Sequence, residues 1–174
     1  MDSEIEQLAT YMKRHALTLA TAESCTAGLI AATLADVPGA GALLECAFVT
    51  YSPQAKQRLL GLSDTLLQRH NLTSEAVARA MALGAAQRAQ ARVVIANTGV
   101  TDGTDPEIPA GTQCYAWVIK RGAADAAPAV FTETRVFTGG RNAIRRASAT
   151  YALLQVQHYA REALGQGAAA SAAA

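Results

Sequence analysis

The chain has 174 residues, 15 basic against 14 acidic side chains, a net charge of +1, and a composition 51% apolar yet only 5% aromatic. That length fits one domain with a substantial core, the charge balance argues against the basic stripe of a nucleic-acid-binding domain, and no apolar run reaches the roughly 20 residues that cross a bilayer. The acidic start Met1-Asp2-Ser3-Glu4 lacks a secretory signal pattern, and Cys25, Cys46 and Cys114 are too few and too widely spaced for a disulfide framework, so a reducing cytoplasm is the expected setting.

In chain order, Ile5, Leu8, Ala9 and Met12 recur at the spacing of one helical face and predict a helix over residues 3–15. A short β-prone run at 17–21 hands over, through Glu23-Ser24-Cys25-Thr26-Ala27-Gly28, to a helix carrying Leu29, Ile30, Thr33 and Leu34. Pro38-Gly39-Ala40-Gly41 breaks the chain, and residues 46–51 form a second strand, apolar enough to be buried on both faces. Pro53 suits the first turn of a short helix containing Lys56. Ser63 caps a helix to Arg69, and Thr73 or Ser74 caps a longer one to about residue 90, with Glu75 in its first turn. A third strand covers 92–98, a loop of Gly, Asp and Pro covers 99–111, and strands at 113–120 and 130–137 suit an antiparallel pair. The last helix spans 141–164 with Ile144, Ala147, Tyr151, Leu154 and His158 along one stripe, which places His158 in the core or an interface. Residues 165–174 are low-complexity and expected to be a disordered tail beyond a single domain of residues 1–164. This order predicts a three-layer α/β/α sandwich with a mixed, mostly parallel sheet.

Three segments carry candidate chemistry. Ser24 lies where a strand ends and a helix opens, the usual place for an α/β site, and free N–H groups at Thr26, Ala27 and Gly28 would stabilise an oxyanion there. A helix cap is the competing reading for Ser24 and Thr26. Tyr51-Ser52-Pro53-Gln54-Ala55-Lys56 follows the second strand; Lys56 is one of three lysines, and partial burial would depress its pKa toward that of a useful base, with Tyr51 relaying protons or orienting the amine. A solvated lysine and a core tyrosine with a wet hydroxyl are the competing readings. Arg141 and Arg145, four apart after Gly139-Gly140, share a helix face that suits a phosphate, with solvated charge as the alternative. His15, His70 and His158 share no ligand spacing with the cysteines, so no metal site is expected. Cys25 at a helix start is either a depressed-pKa thiolate or a small buried residue.

Taken together, these segments resemble the CinA C-terminal domain family of nicotinamide-nucleotide amidohydrolases. The likeness rests on Thr21-Ala22-Glu23-Ser24-Cys25-Thr26-Ala27-Gly28, Asp36-Val37-Pro38-Gly39, Tyr51-Ser52-Pro53-Gln54-Ala55-Lys56-Gln57-Arg58-Leu59-Leu60-Gly61, Ser74-Glu75-Ala76-Val77-Ala78, Pro109-Ala110-Gly111-Thr112 and Phe137-Thr138-Gly139-Gly140-Arg141-Asn142-Ala143-Ile144-Arg145. It implies hydrolysis of the carboxamide of nicotinamide mononucleotide, with Ser24 as nucleophile, Lys56 as base and Tyr51 assisting. By the same resemblance Glu23, Thr26, Gly28, Thr98, Gly99, Arg141 and Arg145 would line the substrate, with no cofactor or metal required.

One stretch departs from the family. Where its members carry Gly-Ile-Ala-Gly-Pro followed by further glycines, this chain has Gly99-Val100-Thr101-Asp102-Gly103-Thr104-Asp105-Pro106-Glu107, shorter and with three added carboxylates. Gly139-Gly140-Arg141 likewise replaces Gly-Asp-Arg. Asp102 and Asp105 would repel a phosphate unless paired or turned outward. A silent paralogue that binds a nucleotide-like ligand or a protein partner, and a hydrolase of another small amide, are therefore the alternatives. The expected partner is a small nucleotide, with no nucleic acid and no membrane. The Ala-rich segment 78–89 would pack either on the sheet or against a second copy in a homo-oligomer.

Overall fold

The computed structural model describes residues 3–122 and 126–165; the tail predicted from residue 165 onward otherwise lies outside them. Helix α1 (Ser3–Arg14) precedes β1 (Leu19–Glu23), α2 (Leu29–Ala35), β2 (Leu44–Val49), α3 (Pro53–Leu60), α4 (Asp64–Arg69) and α5 (Glu75–Ala86). Then come β3 (Val93–Gly99), β4 (Thr112–Ile119), β5 (Ala129–Val136) and α6 (Arg141–Ala163). Side-chain caps explain three of the helix starts: Ser52, Ser63 and Ser74 each accept a hydrogen bond from the N–H three residues on, and Pro53 opens α3 where a missing donor costs nothing.

The strands form one sheet in the order β2-β1-β3-β4-β5. β1 pairs in parallel with both β2 and β3, whereas β3–β4 and β4–β5 are antiparallel, so β4 alone runs against the other described strands. Alternation along the strands sorts the core into two layers. Leu19, Val93, Ile95, Tyr115, Trp117 and Ile119 face α1, α2 and α6. Ala20, Ala22, Val94, Ala96, Ala116 and Val118 face α3 and α5. The few aromatic rings gather in the first layer, where Trp117 stacks near Tyr115 and Tyr159 and its Nε1 donates to the Ala152 carbonyl at 2.9 Å. The alanine layer lets α5 lie close on the sheet, and Val77, Ala78, Met81, Ala82 and Ala85 are buried there. The three-layer α/β/α sandwich is as the sequence predicts.

Two expectations need correction. Strand β2 is not buried on both faces: its residues alternate between half-buried and exposed, with Val49 47% exposed, because it is an edge strand with no strand beyond it. The buried face of α6 is Ile144, Ser148, Ala149, Ala152, Leu153, Val156, Tyr159 and Ala160. Ala147 and His158 are exposed, and His158 lies 3.9 Å from Glu162 on the solvent side. A helix so rich in alanine offers little contrast between its faces.

Candidate active site

The site forms at the carboxyl ends of β1 and β3, where parallel strands leave their last backbone groups free for a turn. Ser24 follows β1 directly. Its N–H donates to the Asn97 carbonyl at 3.0 Å and Thr50 N–H donates to the Glu23 carbonyl at 2.8 Å, so sheet pairing extends past the strand end on both sides of the serine. The chain then turns sharply: Ala27 (φ 49°) and Gly28 (φ 93°) are both left-handed, a conformation that strains an alanine and suits a glycine. Helix α2 begins only at Leu29.

Glu23 explains how the turn is held. Its fully buried carboxylate accepts from the N–H groups of Gly28 (2.9 Å), Ile30 (3.1 Å) and Ala31 (3.1 Å) and from Thr21 Oγ1 (2.9 Å). An anion at the first turn of a helix is favourably placed against orphan donors and the macrodipole. The N–H groups expected to be free at Thr26, Ala27 and Gly28 are all engaged. Thr26 N–H donates to Asn97 Oδ1 (3.1 Å), Ala27 N–H to the Ser24 carbonyl (3.1 Å) and Gly28 N–H to Glu23.

Lys56 reaches the serine from α3. Ser52 caps that helix and Pro53 starts it, which turns Lys56 back over the strand end, where it is 1% exposed. Its Nζ lies 2.9 Å from Ser24 Oγ and donates to the carbonyls of Thr50 (2.8 Å) and Tyr51 (3.2 Å). Among the described residues no carboxylate pairs with it, and burial alone lowers its pKa from 10.5 to about 8. Ser24 is itself 8% exposed, and the Oγ1 atoms of Thr26 and Thr50 are buried without a protein partner. Burial pushes the neighbouring Cys25 thiol up, against the thiolate reading, and all three cysteines are free.

The outer side is different. Tyr51 is 57% exposed, and it is its carbonyl, not its phenol, that meets Lys56; the hydroxyl accepts from Arg141 Nη2 at 3.0 Å. Arg141 Nη1 donates to Thr101 Oγ1 (2.8 Å) and lies 4.0 Å from Asp102. Arg145 is spent on the turn, donating to the carbonyls of Cys25 (2.9 Å) and Thr26 (3.2 Å). Thr98 Oγ1 donates to the Leu72 carbonyl (2.8 Å), and Gly99 packs against Gln113. Asp105 accepts from Asn71 Nδ2 (2.8 Å) and from Glu107 N–H (2.9 Å), bonds that lower its pKa. Sequence reasoning missed Asn97 and Gln113, the buried amides beneath the turn; the available signal was an amide interrupting the apolar run Val93-Val94-Ile95-Ala96. Among the described residues no three His, Cys, Asp or Glu side chains group to hold a metal ion, and no helix is long and apolar enough to cross a membrane.

Comparison with known proteins follows the same lines. A competence-damage inducible protein of Symbiobacterium thermophilum is 44% identical over 148 residues, 82% of this chain, although the chain spans only 34% of that longer protein. Nicotinamide-nucleotide amidohydrolase PncC of Escherichia coli K12 is 37% identical over 158 residues, covering 87% of this chain and 92% of its own. The crystal structure of competence damage-inducible protein A from Klebsiella pneumoniae superposes with a TM-score of 0.81 at 29% identity, covering 90% of this chain and 94% of that one. The CinA C-terminal domain pattern matches residues 2–160, and the chain belongs to that family.

Proposed function

We propose that this chain is a nicotinamide-nucleotide amidohydrolase that converts nicotinamide mononucleotide and water to nicotinic acid mononucleotide and ammonia by serine–lysine chemistry. The observation that carries the reading is the 2.9 Å approach of a buried, carboxylate-free Lys56 amine to Ser24 Oγ. The likeness to the PncC enzyme, over nearly the full length of both chains, supports the substrate.

Neutral Lys56 takes the Ser24 proton as Oγ attacks the carboxamide carbon. The ammonium so formed donates that proton to the leaving nitrogen, ammonia departs and an acyl-serine remains. Water then loses a proton to Lys56, attacks the acyl carbon and returns the serine. With the N–H groups of Thr26, Ala27 and Gly28 engaged, the Cys25 N–H is the donor of the turn left to meet the oxyanion. Glu23, Gly28 and Arg145 hold the turn in shape. Thr26 Oγ1 and the segment of Thr98 and Gly99 border the substrate, and Arg141 with the Tyr51 hydroxyl forms the exposed handle for its phosphate. Residues 1–164 would make up the whole catalytic domain, working in the cytoplasm as its free cysteines suit, with no nucleic-acid partner and either alone or as a homo-oligomer.

Incubating the purified protein with nicotinamide mononucleotide and measuring ammonia tests the reading. Release that disappears in Ser24→Ala and Lys56→Ala is the expected result. The approach of Asp102 to Arg141 favours a second reading, a binding protein without turnover, because that carboxylate competes with a phosphate for the same guanidinium. Retained binding of the nucleotide with no ammonia would select it, and release from another small amide alone would move the substrate.

A further inference from the structure

Directly beneath the Ser24 turn, Asn97, Gln113 and Ser148 are fully buried and bonded to one another. Asn97 Nδ2 donates to Gln113 Oε1 at 3.0 Å, and Ser148 Oγ donates to the same oxygen at 3.3 Å. The free ends of this group reach three separate elements. Asn97 Oδ1 accepts from Thr26 N–H in the nucleophile turn, and Gln113 Nε2 contacts Cys25 Sγ at 3.3 Å there. Gln113 Nε2 also donates to the Val100 carbonyl (2.9 Å), next to the Thr101 that accepts from Arg141. Ser148 sits on α6, the helix that carries Arg141 and Arg145, and shares a 2.7 Å bond with the Tyr115 hydroxyl.

Buried amides gain little net stability over apolar groups of the same shape, and each must find its partners or cost free energy. A β-carbon at position 99 would fall 2.5 Å from Gln113 Cδ, so the backbone there leaves room for this side chain and no more. What the group gains is position: one carboxamide fixes the turn bearing Ser24 against the loop and the helix that form the outer side of the site.

We infer that Gln113 and Asn97, steadied by Ser148, are positioning residues for the reaction, holding Ser24 Oγ in line with both Lys56 and the substrate handle. The inference rests on the reading of Ser24 as nucleophile, and its test keeps the two apart. Gln113→Leu and Asn97→Leu put an apolar side chain in place of each amide and remove the bonds; Gly99→Ala displaces Gln113 from the backbone side. Each is expected to lower kcat for nicotinamide mononucleotide by about ten- to a hundredfold, as small misplacements of reacting groups do, with KM changed by less than about threefold. Ser148→Ala, the mildest change, keeps the assay informative if the leucine variants fail to fold, and is expected to lower kcat by about two- to fivefold. In parallel, the rate at which a small sulfonyl fluoride labels Ser24, followed by mass spectrometry, is expected to fall in the same order. If the wild-type protein is labelled but hydrolyses no nicotinamide mononucleotide, the substrate assignment fails and the labelling rates alone judge the inference. Variants that melt earlier yet keep wild-type kcat, or that label at the wild-type rate, overturn it, as does a wild-type Ser24 that takes no label at all.

Discussion

The two sides of the site are built from opposite materials. On the inner side, Glu23, Ser24, Lys56 and Asn97 are nearly dry, and Glu23, Lys56 and Asn97 each make two or more hydrogen bonds. On the outer side, Tyr51, Asp102 and Arg141 stand in solvent; Arg141 makes one hydrogen bond each to Tyr51 and Thr101 and lies 4.0 Å from Asp102. Burial on the inner side depresses the amine and fixes geometry, which is what proton transfer needs. Exposure on the outer side would let the proposed nucleotide enter and leaves that surface freer to vary in sequence without disturbing the groups beneath it.

Mutation should separate the two sides sharply. Ser24→Ala and Lys56→Met are expected to reduce ammonia release by at least about a thousandfold, because members of a catalytic unit fail together. Equal losses in the two variants sharpen the contrast, and a Lys56→Met enzyme within tenfold of wild type breaks it. pH gives the next largest effect. Because the proposed mechanism needs Lys56 neutral and burial lowers its pKa to about 8, kcat is expected to climb about tenfold per unit as pH rises toward 8 and to level above it. Stability follows the same group with a definite sign. Between about 8 and the unfolded value near 10.5 the unfolded chain binds the extra proton, so wild-type stability is expected to rise with pH relative to Lys56→Met, as denaturant titrations can show.

Effects on the outer side are expected to be smaller and to fall on KM. Arg141→Ala should raise KM about tenfold while kcat stays within about threefold, since in the proposed binding mode it removes a charge-assisted contact with the phosphate, a part of the substrate that does not react. Tyr51→Phe, which takes away only the hydroxyl bonded to Arg141, should raise KM about threefold; a hundredfold loss of kcat would instead restore the phenol to the proton relay. Asp102→Asn should lower KM about twofold by removing a carboxylate from beside the guanidinium.

Much of this was legible in the sequence because it is encoded locally. Ser52 before Pro53, Ser63 and Ser74 announce helix starts whatever surrounds them, and the run Val93-Val94-Ile95-Ala96 reads as a strand on its own. Features set by tertiary neighbours were not legible. The edge position of β2 depends on strand order, and the buried face of α6 is obscured by alanines on every side. The engaged N–H groups of Thr26 and Gly28 were missed because Asn97 and Glu23 turn back to them from a neighbouring strand and a strand end, and that of Ala27 because the turn closes on the Ser24 carbonyl. Ser24 and Lys56 could be singled out as candidates, but their meeting depends on β1 and β2 being parallel neighbours, which no local pattern states.

The central claim is that the Lys56 amine is buried against Ser24 and loses its proton near neutrality, and the chain makes this directly measurable because it holds only three lysines, Lys13, Lys56 and Lys120. With lysine carrying ¹³C at Cε, an NMR titration from pH 6 to about 11 follows each amine separately. One resonance moving at about pH 8 and absent in Lys56→Met is the predicted result. A Lys56 resonance that titrates only near 10.5 would contradict the account.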